Sequence, residues 1–139
     1  MSKMMMVLLF VVLAGGCCGD RPSGAGSKGG APKAARVPSM EVSASVLFAD
    51  YHANEVSADA KYKGKTLAVT GTVSSIDKDF MDDVVVHFAT SSPFMGIMAK
   101  LDVSQKGMAA GLTKGQQIRL VCEGGGMVVG SPALSDCAK

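Results

Sequence analysis

The chain has 139 residues, with 14 Lys plus Arg, 12 Asp plus Glu, 17 glycines, four cysteines, five phenylalanines, two tyrosines and no tryptophan. So few aromatics leave the core to Val, Leu, Ile, Met and Ala, and this much glycine disfavours a helical bundle and favours a β-rich domain with many turns. Residues 40–139 carry nine Lys plus Arg against eleven Asp plus Glu, a net charge of −2, so this region lacks the basic excess through which polyanion binders release counterions.

At the N-terminus, Lys3 precedes eleven apolar residues, 4–14. A spanning helix needs about twenty, so the run fits the hydrophobic region of a secretory signal. Gly15, Gly16, Cys17 and Cys18 then follow, and a cysteine after small residues resembles a bacterial lipoprotein signal. Residues 1–16 therefore read as a lipoprotein-type signal peptide, with Cys17 as the lipidated first residue of the mature chain and Cys18 as the second choice; an unlipidated signal cleaved nearby is the alternative. The expected location is outside the cytoplasm, anchored by lipid to a bacterial membrane on its periplasmic or cell-surface side.

Residues 17–39 read as that lipidated end followed by a disordered tether. The stretch 19–38 holds five Gly, three Pro, four basic residues and one aliphatic, Val37, too little to bury a core. A flexible coil of 20 residues spans about 25 Å. Arg21, Lys28, Lys33 and Arg36 either solubilise this linker or touch anionic headgroups or cell-wall polymers. Residues 40–139 form the folded domain. In an exported domain Cys122 and Cys137 are expected to pair, and closing their loop contributes about 3 kcal/mol in the chain-entropy model. A zinc or redox site has no support: Cys-x-x-Cys spacing is missing, and His52 and His87 have no obvious partners.

Leu47, Tyr51, Asn54, Ala58 and Tyr62 recur at spacings of four, three, four and four, which predicts one helix face, with Ser43 or Ser45 as N-cap and Gly64 as terminator. The polar Asn54 on this stripe is expected to bond neighbouring backbone rather than a ligand. Leu67, Val69, Gly71 and Val73 then alternate with Thr66, Ala68, Thr70 and Thr72. Ile76 falls out of phase, and a phase slip near Gly71 predicts a bent or bulged strand of the kind that closes a small barrel. Further along, Val84, Val86 and Phe88 point inward with His87 outward, and Ile97, Ala99 and Leu101 repeat the pattern. Residues 104–112 predict a short helix, Ile118, Leu120 and Cys122 an inward strand face, and Leu134 the centre of a last short strand.

Helix, three strands, short helix, two strands is the order of an OB-fold, so the expected class is mainly β: a five-stranded OB-fold-like barrel with an N-terminal helix and a short helix between strands three and four. The sequence from Leu47 to Asp79, with Leu47, Tyr51, Asn54, Ala58, Tyr62, Gly64, Lys65, Thr70-Gly71-Thr72-Val73 and Ile76, resembles the start of bacterial OB-fold domains of the tRNA-anticodon-binding-like (tRNA_anti-like) family. The segments around Ile118–Cys122 and the closing Leu134-Ser135-Asp136-Cys137 resemble that family's fourth and fifth strands, including its cysteine pair. The resemblance implies an OB-fold, often exported or lipid-anchored, and carries over no catalytic residues or tRNA binding.

For function, Lys61, Lys63, Lys65 and Lys78 with Tyr62 hint at a basic, aromatic edge. Asp77, Asp79, Asp82 and Asp83 crowd the same end, so nucleic acid is disfavoured; the lysines read as a solvated turn and Tyr62 as a cap on the barrel mouth. Asp82 and Asp83 read as hairpin residues, no nucleophile and base are spaced for catalysis, and the protein is not expected to be an enzyme. Met95 and Met98 near His87 would suit Cu(I), but packing accounts for them, and no metal or cofactor is expected. What remains is a binding module whose contact face is built from Thr70, Thr72, His87, Met98 and Lys100, with Asn54, Tyr62 and Gly71 structural. Its expected partners are the membrane, through the lipid, and an envelope protein, peptide or glycan, with an oligonucleotide as the alternative.

Overall fold

The computed structural model describes residues 36–139. The expected signal peptide, Cys17, Cys18 and the expected tether as far as residue 35 lie outside the described residues. Among those described, no helix is long and apolar enough to cross a membrane.

The barrel closes because one long strand serves two sets of neighbours. The first half of β2 (Thr66–Lys78) pairs antiparallel with β5 (Gln117–Val128), with Leu67 opposite Cys122 and Thr72 opposite Gln117. Its second half pairs with β3 (Val84–Phe88), and the register shifts between Val73 and Ser75, at the phase slip visible in the sequence. β3 continues to β4 (Ile97–Leu101), which runs parallel to β6 (Ser131–Ala138), and β6 returns antiparallel to β5. The ring is thus β2-β3-β4-β6-β5, the closed five-stranded barrel expected. Every inward residue named for these strands except Gly71, which has no side chain to bury, belongs to one buried cluster, and Cys122 and Cys137 are joined within it by a disulfide.

Gly71 lies on that inward side where β2 bends. A Cβ there would stand 2.7 Å from Phe88 Cδ1 and 2.8 Å from the Cβ of Ala44, so only glycine lets β3 and the first helix close over the strand. Gly124 does the same at the other end, where a Cβ would collide with the Tyr62 carbonyl oxygen. The close approach allows two backbone bonds, Gly64 N to Gly124 O at 2.8 Å and Gly124 N to Lys65 O at 3.0 Å, which fasten the helical segment to β5.

Three features depart from the sequence reading. The single helix is two: α1 (Ala44–Ala53), capped by the Ser43 side chain, and α2 (Glu55–Tyr62). Asn54 sits between them in an extended conformation, exposed rather than on a buried stripe; its N–H donates to Asp50 O, and its side-chain oxygen accepts from Ser57 N. One residue thereby ends one helix and caps the next. Second, an extra strand, β1 (Met40–Ser43), runs parallel to β2, with Met40 opposite Leu67. Third, the segment read as the end of the tether lies on the domain. Ser39 N donates to Thr66 O at 2.7 Å, and Arg36 pairs with Asp136 at 3.2 Å and with Glu123 at 4.0 Å. Four residues of β1 are too few for alternation to register above chance, and ion pairs with Glu123 and Asp136 are invisible to local patterning.

The short helix predicted over residues 104–112 is narrower: a 3-10 turn, Val103–Gln105, leads into α3 (Lys106–Ala109). Asp102 opens it by accepting from Ser104 N.

Candidate binding face

The five residues chosen for the contact face do not meet on one surface. His87 and Met98 are cross-strand neighbours on β3 and β4, with Ser75 opposite His87 on β2, so these three form a continuous outer patch. Thr70 and Thr72 are carried around the bend of β2, where they face Arg119 and Gln117 of β5. Lys100, opposite Val85, lies at the other end of β3, in an ion network.

That network decides the charge of the face. Lys100 Nζ is 2.7 Å from Asp83 and 3.6 Å from Asp79, Lys106 is 3.7 Å from Asp83, and Lys78 is 2.6 Å from Asp82. Asp79 accepts from the backbone N–H groups of Asp83 and Met81, which shapes the β2–β3 turn and holds its carboxyl below the usual carboxylate range. Lys78 lowers Asp82 in the same sense, and Asp83 raises Lys100. The acidic pair expected in a hairpin is there, with Asp82 at φ 63°.

The lysines around Tyr62 are occupied too. Lys61 is 2.8 Å from Asp50, Lys63 is 3.3 Å from Asp59, and Lys65 donates to Ala60 O at 3.1 Å. Lys61 ties α2 to Asp50 of α1, whereas Lys63 and Lys65 bond back onto α2 from the turn that follows it, and all three remain exposed to solvent. Tyr62 is buried, with its hydroxyl donating to Asp50, and Tyr51 is buried beside it, donating to Asp59. A ring so enclosed cannot stack on a base.

At the other end of the face two open hollows adjoin. One, of ≈ 450 Å³, lies between the start of α1, Thr70–Thr72, residues 89–91 and Gln117. The other, of ≈ 360 Å³, is bounded by Ser74, Ser75, His87 and the β3–β4 loop, and the two share Ala89 and Thr90. The loop is fixed from within: Thr90 Oγ1 donates to Met95 O, and Ser92 Oγ accepts from the N–H groups of Phe94 and Met95. Phe94 nevertheless stands 94% exposed at its tip.

Neither methionine near His87 is core filling. Met98 is on the outer patch, and Met95, 40% exposed, approaches Gly130 of the β5–β6 turn. Among the described residues no group of three or more His, Cys, Asp or Glu is arranged to hold a metal ion. Gln117, Ser91 and Phe94 were missed as lining residues. Gln117 was legible as the outward neighbour of Ile118, whereas residues 91 and 94 lie in a loop without periodicity.

These features define a small OB-fold barrel with a largely neutral outer face. The tRNA_anti-like family model matches residues 1–138, and the chain belongs to that family. No match is found among curated proteins. A crystal structure of a "putative nucleic acid-binding lipoprotein" from Klebsiella pneumoniae subsp. pneumoniae has a similar fold, with a TM-score of 0.58 and 16% identity over 70% of this chain and 90% of that one.

Proposed function

We propose that the chain is an extracytoplasmic, lipid-anchored binding module of the bacterial cell envelope, whose ligand is a protein, peptide or glycan. The observation that carries this reading is charge compensation: Lys78, Lys100 and Lys106 are each paired with an aspartate, leaving no free basic track for a phosphate backbone among the described residues of that face. The buried disulfide fits an oxidising compartment, and the leader over residues 1–16, followed by Cys17, supports the anchor. The Klebsiella protein, described as a lipoprotein, agrees with that address. No catalytic step is assigned.

The same protein's description as nucleic acid-binding, together with the exposed rings of Phe80 and Phe94, favours oligonucleotide binding as a second reading. A pull-down from envelope extracts, with and without nuclease and against a Thr72→Arg/His87→Glu variant, separates the two. Retention of a protein or glycan by the unmodified chain, lost in the variant and indifferent to nuclease, supports the proposal. Retention abolished by nuclease, or a retained set identical for the unmodified chain and the double substitution, contradicts it.

A further inference from the structure

The geometry points to a neutral oligosaccharide as the ligand of the joined hollows, an inference that rests on the binding-module reading. The nineteen residues lining the two hollows include no Asp, Glu, Lys or Arg, in a chain of which 19% is charged, and their one titratable side chain is His87, 3.6 Å from Asp77. An anionic ligand would find no lysine or arginine in the lining to pair with, and a cationic one no carboxylate. The lining of the larger hollow is instead hydroxyl and amide. Ser45, Thr70, Thr72, Ser91 and Gln117 make no side-chain hydrogen bond with other described residues, so their donors and acceptors are not committed within the fold. A Ser or Thr hydroxyl both donates and accepts, as each sugar hydroxyl does, so a row of them matches a ring of hydroxyls without any charge.

Phe94 supplies the apolar half of such recognition. Its exposed ring at the edge of the smaller hollow presents a face to the C–H surface of a pyranose, while the hydroxyl-lined hollow on the far side of Thr90 takes the next units. A polypeptide finds only a short handle here. Strand addition needs an open edge, and β2 within the groove is flanked by β5 on one side and by β1 and then β3 on the other. The edge left open is that of β1, four residues ending at Ser43.

The test titrates the full chain, in detergent micelles, with maltohexaose, chitotetraose and mannotetraose while amide resonances are followed. The expected result is a saturable shift with at least one of them, concentrated at Thr72, Thr90, Ser91 and Phe94. Phe94→Ala and Thr72→Val/Gln117→Leu are each expected to weaken that binding about tenfold without moving the thermal midpoint. Absence of saturable shifts with all three sugars, shifts elsewhere on the barrel, or affinity unchanged in both variants overturns the inference. Running the envelope pull-down on the same preparation separates the failures. A protein retained by the chain while the sugars give no response sinks the groove alone, and no retained partner with no sugar response sinks the module reading as well.

Discussion

Gly71 illustrates how one missing side chain sets the barrel's curvature. The 2.7 and 2.8 Å approaches of Phe88 and Ala44 to its notional Cβ mean that Gly71→Ala must displace a buried ring or a helix. Overpacking of this kind costs about 1–3 kcal/mol, measurable as a lowered urea midpoint at unchanged slope. Tyr51 and Tyr62 offer a second residue-level test, since they are the chain's two tyrosines and tryptophan is missing. Burial, reinforced by Asp59, pushes the Tyr51 phenol up to about 12, and burial with Asp50 raises Tyr62. The unfolded chain, at about 10, ionises first. Their contribution to stability is therefore complete below pH 10 and is lost as pH rises towards 12. An ultraviolet titration should show little tyrosinate until the fold gives way; normal ionisation near pH 10 in the folded protein would contradict the buried pair. That both tyrosines were core was legible from their spacing. Their aspartate partners were not, because a phenol's need for an acceptor names no residue.

At the scale of elements, strands were far more legible than the helical segment. Alternation identified inward residues of four of the five barrel strands, because each has one face on the core and one outside, while the last was located only by Leu134. It even located the bulge, since a register shift leaves a phase slip in the pattern. The helix break was hidden by coincidence: Asn54 falls at helical spacing from Tyr51 and Ala58, although its own backbone is extended. Had the helix run through, a polar amide would have lain on the apolar stripe, and that misfit was the one local sign of the break. Asn54→Ala removes the cap on Ser57 N and should cost about 1 kcal/mol, lowering the thermal midpoint by roughly 4–8 °C. An unchanged midpoint would mean that the helices are held by packing alone. β1 and the docking of Arg36 depend on partners up to 100 residues away, out of reach of any periodic signal.

For the whole molecule, fold, family and net charge were readable from the chain, whereas the site was readable only in fragments. Thr70, Thr72 and His87 were outward by alternation, but a closed barrel wraps outward residues around its circumference. Which of them share a surface depends on curvature, not on phase. The charge argument, by contrast, grew sharper in three dimensions. A net charge of −2 over residues 40–139 became a face whose lysines are paired with aspartates, beside hollows lined without Asp, Glu, Lys or Arg. The most direct test of this account is fluorescence anisotropy of labelled single-stranded oligonucleotides titrated with the full chain across a salt series. The account predicts no saturable binding at physiological salt and at most a weak, non-specific signal at low salt. Saturable binding at physiological salt, weakening steeply as salt is raised and lost in a Phe94→Ala variant, would contradict it.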